Sequence, residues 1–233
     1  MDFKVESRRV KAYLGLRFSP VAITYSTSPD PRGKNGKLYV CTALRRAARG
    51  EVINLSREKI SCPGALHWLG FENYRPGIQF FLTYVEKIFK DDETAGKWFD
   101  AVPAPPLGRA PFVILSPLEH AGSGPAAVCM IATPHQAHLV LTALTFSTGP
   151  FEVKNMDYAV CQAAITNPVS AGQAVFTSPD TVGAEVGGYA DDETIVSLPM
   201  GLFERFAEDM EKPECGKPGF TRKMMRKFNK IKG

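Results

Sequence analysis

Two stretches of this chain share one pattern, GEVINLSREKISC at residues 50–62 and GPFEVKNMDYAVC at residues 149–161. In each stretch a glycine is followed by a short apolar run, and a cysteine comes twelve residues after the glycine. Each glycine also ends a segment with a helical pattern, over residues 42–49 and 136–147. This shared order predicts two related half-units. Folded about an approximate two-fold axis, they would bring Cys62 and Cys161 to a common centre.

The segments around these stretches alternate between strand and helix patterns. Branched and aromatic residues predict strands at 20–25, 112–115, 126–132, 172–175, 181–187 and 194–198. Apolar spacing predicts helices over 5–14, 79–89 and 200–210. Alternating elements with short connections favour an α+β or mixed α/β fold, in which the two half-units pack into one compact domain.

A proline-rich linker at residues 101–106 suggests where the chain divides. We predict a first half-unit with a helical insertion over 1–100, a second half-unit over 101–212 and a basic amphipathic tail over 213–233. The last twelve residues hold six lysines and arginines, so the formal charge of +4 falls to −2 without them. Apolar residues at helical spacing among these charges predict a basic C-terminal helix that docks on the body.

Composition narrows the class of protein. The chain is 44% apolar and 22% charged, as is usual for a globular protein, and no apolar run reaches the length of about 18–20 residues that a membrane helix needs. The first residues lack the apolar stretch of a secretory signal. Five cysteines at irregular spacing suit a reducing compartment, so a cytoplasmic location with free thiols is expected. No membrane contact is expected, and the absence of a nucleic-acid motif argues against nucleic acid as a partner.

Three cysteines stand at the predicted openings of helices: Cys41, Cys62 and Cys161. A helix N-terminus carries a partial positive charge and free N–H groups, which favour the thiolate form that binds metal. Pro63 suits a first helical position, and Gly64 lets a bulky inorganic group approach the backbone. The alternative for each cysteine is a small buried apolar residue.

The remaining cysteines and the histidines have weaker patterns. Cys129 lies in an apolar strand, where core packing is expected, and Cys215 lies in a late loop as either a fourth ligand or an exposed thiol. No Cys-x-x-Cys pair exists, so the pattern differs from a zinc ribbon and from ferredoxin runs. His67, five residues after Cys62, is the best histidine candidate for a fourth ligand, whereas His135 and His138 are expected to be solvated.

Several short motifs, in their order along the chain, resemble the family catalogued as domain of unknown function 169, found in bacteria and archaea and common in anaerobes. The motifs are Pro20-Val21-Ala22, the Cys41 helix ending at Gly50, Cys62-Pro63-Gly64 with Leu69-Gly70-Phe71, Cys161-Gln162 and Leu198-Pro199-Met200.

The resemblance covers about residues 10–212. It implies that Cys41, Cys62 and Cys161 belong to the family pattern and that Cys129 and Cys215 do not. Ala65 stands where the family usually has a second glycine. Because the activity of the family is not established, the resemblance implies a site and not a reaction.

The leading hypothesis is a cytoplasmic iron–sulfur protein in which Cys41, Cys62 and Cys161 hold one cluster, of the [4Fe–4S] type. Three thiolates leave one iron for His67, Cys215, water or a substrate. An open iron can act as a Lewis acid on a small molecule, whereas a fully ligated cluster only passes electrons to a redox partner protein. An iron–sulfur oxidoreductase or lyase would fit, and the sequence leaves open whether the chain is an enzyme.

Two other hypotheses use the same residues without a cluster. In the first, the chain is a small-molecule binding or sensing protein with a cleft between the half-units, and its cysteines are structural. In the second, Cys62 is the nucleophile of a transferase or hydrolase and His67 its base. The substrate, the electron partner and assembly into a homo-oligomer are all left open by the sequence.

Overall fold

The computed structural model describes residues 1–34, 36–102, 105–122, 124–154, 159–214 and 219–231. Within these residues one sheet has seven strands, in the spatial order β2-β3-β1-β4-β7-β6-β5. The strands are β1 (Val21–Ser26), β2 (Ile53–Leu55), β3 (Phe112–Pro117), β4 (Ala127–Ala132), β5 (Val153–Lys154), β6 (Ala174–Thr177) and β7 (Thr194–Pro199). All neighbouring strands are antiparallel except the parallel pair β5 and β6. The predicted α+β class is confirmed.

Helices connect and cover these strands. They are α1 (Phe3–Leu14), α2 (Val40–Ala48), α3 (Pro63–Trp68), α4 (Arg75–Phe80), α5 (Asp92–Ala101), α6 (Pro134–Thr148), α7 (Asn167–Ser170), α8 (Thr181–Gly187), α9 (Met200–Asp209) and α10 (Phe220–Ile231). A π-helical turn, Phe81–Val85, extends α4, and a second one, Gln162–Thr166, leads into α7. None of the described helices has the length and apolar character needed to cross a membrane.

Each face of the sheet has its own apolar core, because successive side chains of a strand point to opposite sides. One core contains Ile23, Cys129 and Ile195 and is covered by α2, α3 and the segment that carries Cys161. We call this side the cysteine face. The other core contains Val128 and Leu198, and α1, α6 and α9 cover it. We call that side the opposite face.

Residues 181–187, predicted as a strand, form helix α8, so that prediction was wrong. Asp180 caps this helix by accepting a hydrogen bond from the Gly183 N–H, and the left-handed Gly188 (φ +66°) ends it. The helix predicted over 79–89 starts earlier, at Arg75, and changes to the π-helical turn at Phe81.

The repeated order of elements around the two glycines is present, but a structural repeat is not established. Gly50 (φ +111°) and Gly149 (φ +66°) both follow a helix and lead to a short strand. However, α2 covers the cysteine face and α6 the opposite face. A two-fold axis normal to the sheet would keep related helices on one side, so the duplication and the division at residues 100 and 101 stay predictions.

The tail helix α10 carries the basic residues of the C-terminal segment. Of the apolar residues at helical spacing on this helix, Phe228 is 54% exposed, whereas Phe220 and Met224 are half-buried. The predicted docking of this helix on the body stays a prediction.

Candidate functional site

Three helix starts place cysteines on the cysteine face. Cys41 is the second residue of α2, and Cys62 is the N-cap of α3, with Pro63 as the first helical residue. Cys161 lies in the helical turn that leads into Gln162–Thr166. All three side chains belong to or pack against the apolar core of this face.

The structure places these three thiols close enough to interact electrostatically. Cys161 interacts with both Cys41 and Cys62, and Cys41 interacts with Cys62. Cys41 and Cys62 are half-buried, whereas Cys161 is buried. Up to 120 positions separate these cysteines in the chain. They come near one another because α2, α3 and the Cys161 segment pack on the same face of the sheet.

The expectation that a helix start favours the thiolate is wrong for Cys41 and Cys161 in the metal-free chain. Burial raises the pKa of Cys41 to about 12, and electrostatic interactions with Asp180 and Cys62 add to this shift. Burial likewise raises the pKa of Cys161 well above its usual value. Desolvation outweighs the partial charge of the helix N-termini, so both thiols are protonated at neutral pH.

Asp180 links the Cys161 segment to α8 through two hydrogen bonds. This residue was not among the sequence-based candidates. Its Oδ2 accepts a hydrogen bond from the Val160 N–H at 2.9 Å, and its Oδ1 accepts one from the Gly183 N–H at 2.7 Å. The carboxylate therefore fixes two helix starts beside the thiols. Aspartate is a favoured N-cap residue, so Asp180 indicates a helix start, whereas the apolar pattern of 181–187 predicts a strand.

Helix α8 approaches α2 closely because of its glycines. A Cβ added at Gly187 would clash with the ring of Tyr189, reaching its Cδ2 at 2.7 Å, and would lie 3.3 Å from the Cβ of Cys41. The contact is held by hydrogen bonds. The Thr42 hydroxyl donates to the Val186 carbonyl at 2.9 Å, and the Tyr189 hydroxyl donates to the Cys41 carbonyl at 3.1 Å.

Gly64 leaves room beside the Cys62 sulfur. A Cβ at this position would lie 3.6 Å from the Cys62 Sγ, so any other residue would cover that side of the thiol. The predicted role of Gly64, close approach of a bulky group, is compatible with this geometry.

A buried ion pair lies next to the thiol cluster. The Arg45 guanidinium donates to both carboxylate oxygens of Glu193 and stacks on the rings of Phe18 and Tyr189, at 4.8 and 4.4 Å from their centroids. Although burial opposes ionisation, the hydrogen bonds from Arg45 and from the Ala190 N–H hold the pKa of Glu193 below its usual value. The pair fixes the end of α8 against α2.

His67 lies in an aromatic cluster at the end of α3. Its ring contacts Trp68 and Phe99, at centroid distances of 4.7 and 6.2 Å, and the charged or polar groups that act on it are those of Glu72 and Arg75. Burial lowers its pKa, so the ring is neutral. The fourth-ligand role of His67 and its role as a base for Cys62 stay predictions.

The positions of Cys129 and of two histidines follow from their burial. Cys129 is fully buried on β4, which confirms its expected packing role. His135 and His138 are exposed on α6, as expected. Cys215 lies outside the described residues. Within the described part of the chain, no group of three or more His, Cys, Asp and Glu side chains is arranged to hold a single metal ion.

The sequence profile of the DUF169 family, described as "Uncharacterised ArCR", matches residues 9–209. The chain therefore belongs to this family, as its motifs indicated. It matches no curated protein and no solved structure.

Proposed function

We propose that this member of the DUF169 family is an iron–sulfur protein that holds one [4Fe–4S] cluster through Cys41, Cys62 and Cys161. The observation that supports the proposal is the meeting of three thiols from three separate helix starts on one face of the sheet. Burial raises the pKa of Cys41 and Cys161, so these free thiols are weak nucleophiles at neutral pH, which suits a ligand more than a nucleophile.

Three thiolates from separate helix starts can each bind a different iron of one cluster, whereas thiolates on a single zinc ion each lie about 2.3 Å from the metal. The space beside the Cys62 sulfur at Gly64 suits the same kind of group.

A cluster with three thiolate ligands has one iron open to a small molecule, which suits Lewis-acid or redox chemistry. The chain would then bind a small-molecule substrate there or pass electrons to a redox partner protein. Asp180 holds the helix start of Cys161, Gly187 lets α8 pack against Cys41, and loading releases the thiol protons. We place the protein in the cytoplasm, where thiols stay reduced.

Anaerobic purification with iron and sulfide analysis tests the proposal. We expect the wild-type chain to retain iron and acid-labile sulfide, and Cys62→Ser and Cys161→Ser to lose most of both. Cys129→Ala is the matched control, because Cys129 is buried on the same face but lies in the strand core. A folded chain that stays colourless and iron-free, even after reconstitution with iron and sulfide, would overturn the proposal.

A further inference from the structure

A cleft of about 400 Å³ lies on the first part of the chain, between the end of α3, the start of α4 and the end of α5. Its lining includes His67, Arg75, Phe99 and Asp100, and none of the cysteines is among its described lining residues. The cleft is therefore separate from the proposed cluster site, and a ligand bound in it would not depend on the cluster.

The deepest polar group of the cleft is the imidazole of His67. The residue is 7% exposed, and its Nδ1 has no hydrogen-bond partner among the described residues. The hydrogen bond to the Glu72 backbone raises the pKa of His67, as expected when the ring donates to a carbonyl. Because Nδ1 has no partner, the donor is the other ring nitrogen, Nε2. In a neutral ring Nδ1 is then an acceptor, and a buried acceptor without a donor costs free energy.

Charged groups of both signs stand at the mouth of the cleft. The Arg75 guanidinium lies over the Phe99 ring, 5.4 Å from its centroid, and its Nη2 donates to the Asp100 Oδ1 at 2.6 Å. The Asp100 side chain is 70% exposed, so this ion pair is weak and easily exchanged. His67 and Arg75 both border Phe99, which means that one small molecule can reach both.

Apart from Asn73, the rest of the lining is apolar. Phe99, Val102 and Leu107 form the wall, and Leu107 is 61% exposed. Packing of this exposed leucine against an apolar ligand group is favourable, because it removes apolar surface from water.

We propose that this cleft binds a free α-amino acid with an apolar side chain. The ligand ammonium donates to the His67 Nδ1 and the Asp100 carboxylate, and the ligand carboxylate accepts from Arg75. The apolar side chain lies along Phe99, Val102 and Leu107. A zwitterion satisfies the acceptor, the cation and the anion of the cleft together, whereas a simple acid or amine leaves one of them unmatched.

The test follows the ring nitrogens of His67 by NMR in full-length protein labelled with ¹⁵N-histidine, with His67→Gln used to assign the signals. Alanine, valine, leucine and phenylalanine are titrated separately. Two analogues of leucine serve as matched probes, 4-methylpentanoate without the ammonium and isopentylamine without the carboxylate. We expect the larger amino acids to move the Nδ1 resonance at millimolar concentrations and each analogue to bind at least about tenfold more weakly.

Arg75→Gln and Asp100→Asn should each weaken leucine binding by at least about tenfold. Glu93→Gln, which removes an exposed carboxylate of α5 outside the cleft, should leave it unchanged. The proposal is overturned if no amino acid moves the Nδ1 resonance, which would mean that water satisfies this atom. Equal affinity for leucine and 4-methylpentanoate would also overturn it. If His67→Gln does not fold, glutamine variants of the exposed His120, His135 and His138 assign the His67 signals by elimination.

Discussion

Burial has different consequences on the two faces of the sheet. On the opposite face, Phe203 and Phe206 of α9 are fully buried in the apolar core, and the covering helices bury two polar residues, Ser7 and Asp209, which pair with Glu119 and Ser147. The cysteine face has four thiols, those of Cys41, Cys62, Cys129 and Cys161, together with a buried Arg45–Glu193 pair and Tyr189. On the cysteine face, burial raises the pKa of Cys41 and Cys161, and the hydrogen bonds from Arg45 hold Glu193 ionised against the cost of burial. The proposed chemistry lies on that face.

The largest expected effect is on the opposite face. Phe203→Ala removes a fully buried ring that packs near Phe206, and we expect the free energy of unfolding to fall by about 3–5 kcal/mol. Urea unfolding measures this change. If the faces are functionally separate, iron bound per folded molecule after reconstitution stays at the wild-type level. A loss of iron as large as that in Cys161→Ser would show that the two faces are not separate.

On the cysteine face, Arg45→Met keeps much of the packing volume but leaves Glu193 buried without its cation. We expect a loss of about 3 kcal/mol at neutral pH, measured by urea unfolding, since breaking one partner of a buried pair strands the other charge.

The pH dependence of this loss has a definite sign. In the wild-type chain the pKa of Glu193 is held below its usual value, so the pair stabilises the fold above that usual value and this stability is lost as pH falls through the folded pKa. In the variant the stranded carboxylate gains by protonation. The gap between the two chains should therefore narrow on acidification, and a gap independent of pH would show that Arg45 acts through packing alone.

Gly187→Ala tests the close approach of α8 and α2. The new methyl group would meet the Tyr189 ring and the Cys41 Cβ, and overpacking of this kind costs about 1–3 kcal/mol. Because Cys41 must shift, iron retention should fall as well. The matched control is Gly201→Ala in α9, where nothing lies within 4 Å of the added Cβ and a helical alanine is expected to stabilise by about 0.5–1 kcal/mol. Equal effects at both glycines would refute a special contact at Gly187.

Most strands and the main helices could be predicted from periodicity and from glycine and proline positions, as for β1, β4, β7, α1 and α9. The position of Cys129 in the core also followed from its apolar neighbours. Helix α8 was missed because its small and branched residues resemble a strand, and only the cap at Asp180 indicated a helix. The protonated state of Cys41 and Cys161 depends on how much of each thiol is desolvated. Tertiary packing sets that quantity, and local sequence does not.

The smallest effect in energy is a difference in thiol reactivity. In metal-free protein at pH 8, we expect Cys41 and Cys161 to react with iodoacetamide at least about a hundredfold more slowly than free cysteine, because only the thiolate attacks and burial raises the pKa of both groups. Peptide mass spectrometry at timed intervals gives the rate at each site, and urea-unfolded protein supplies the reference rate. A Cys161 that reacts at the unfolded rate would contradict the burial of this thiol. A Cys62 that reacts faster than free cysteine at pH 8 would instead favour a nucleophile at that position over a ligand, because an activated nucleophile has a lowered pKa.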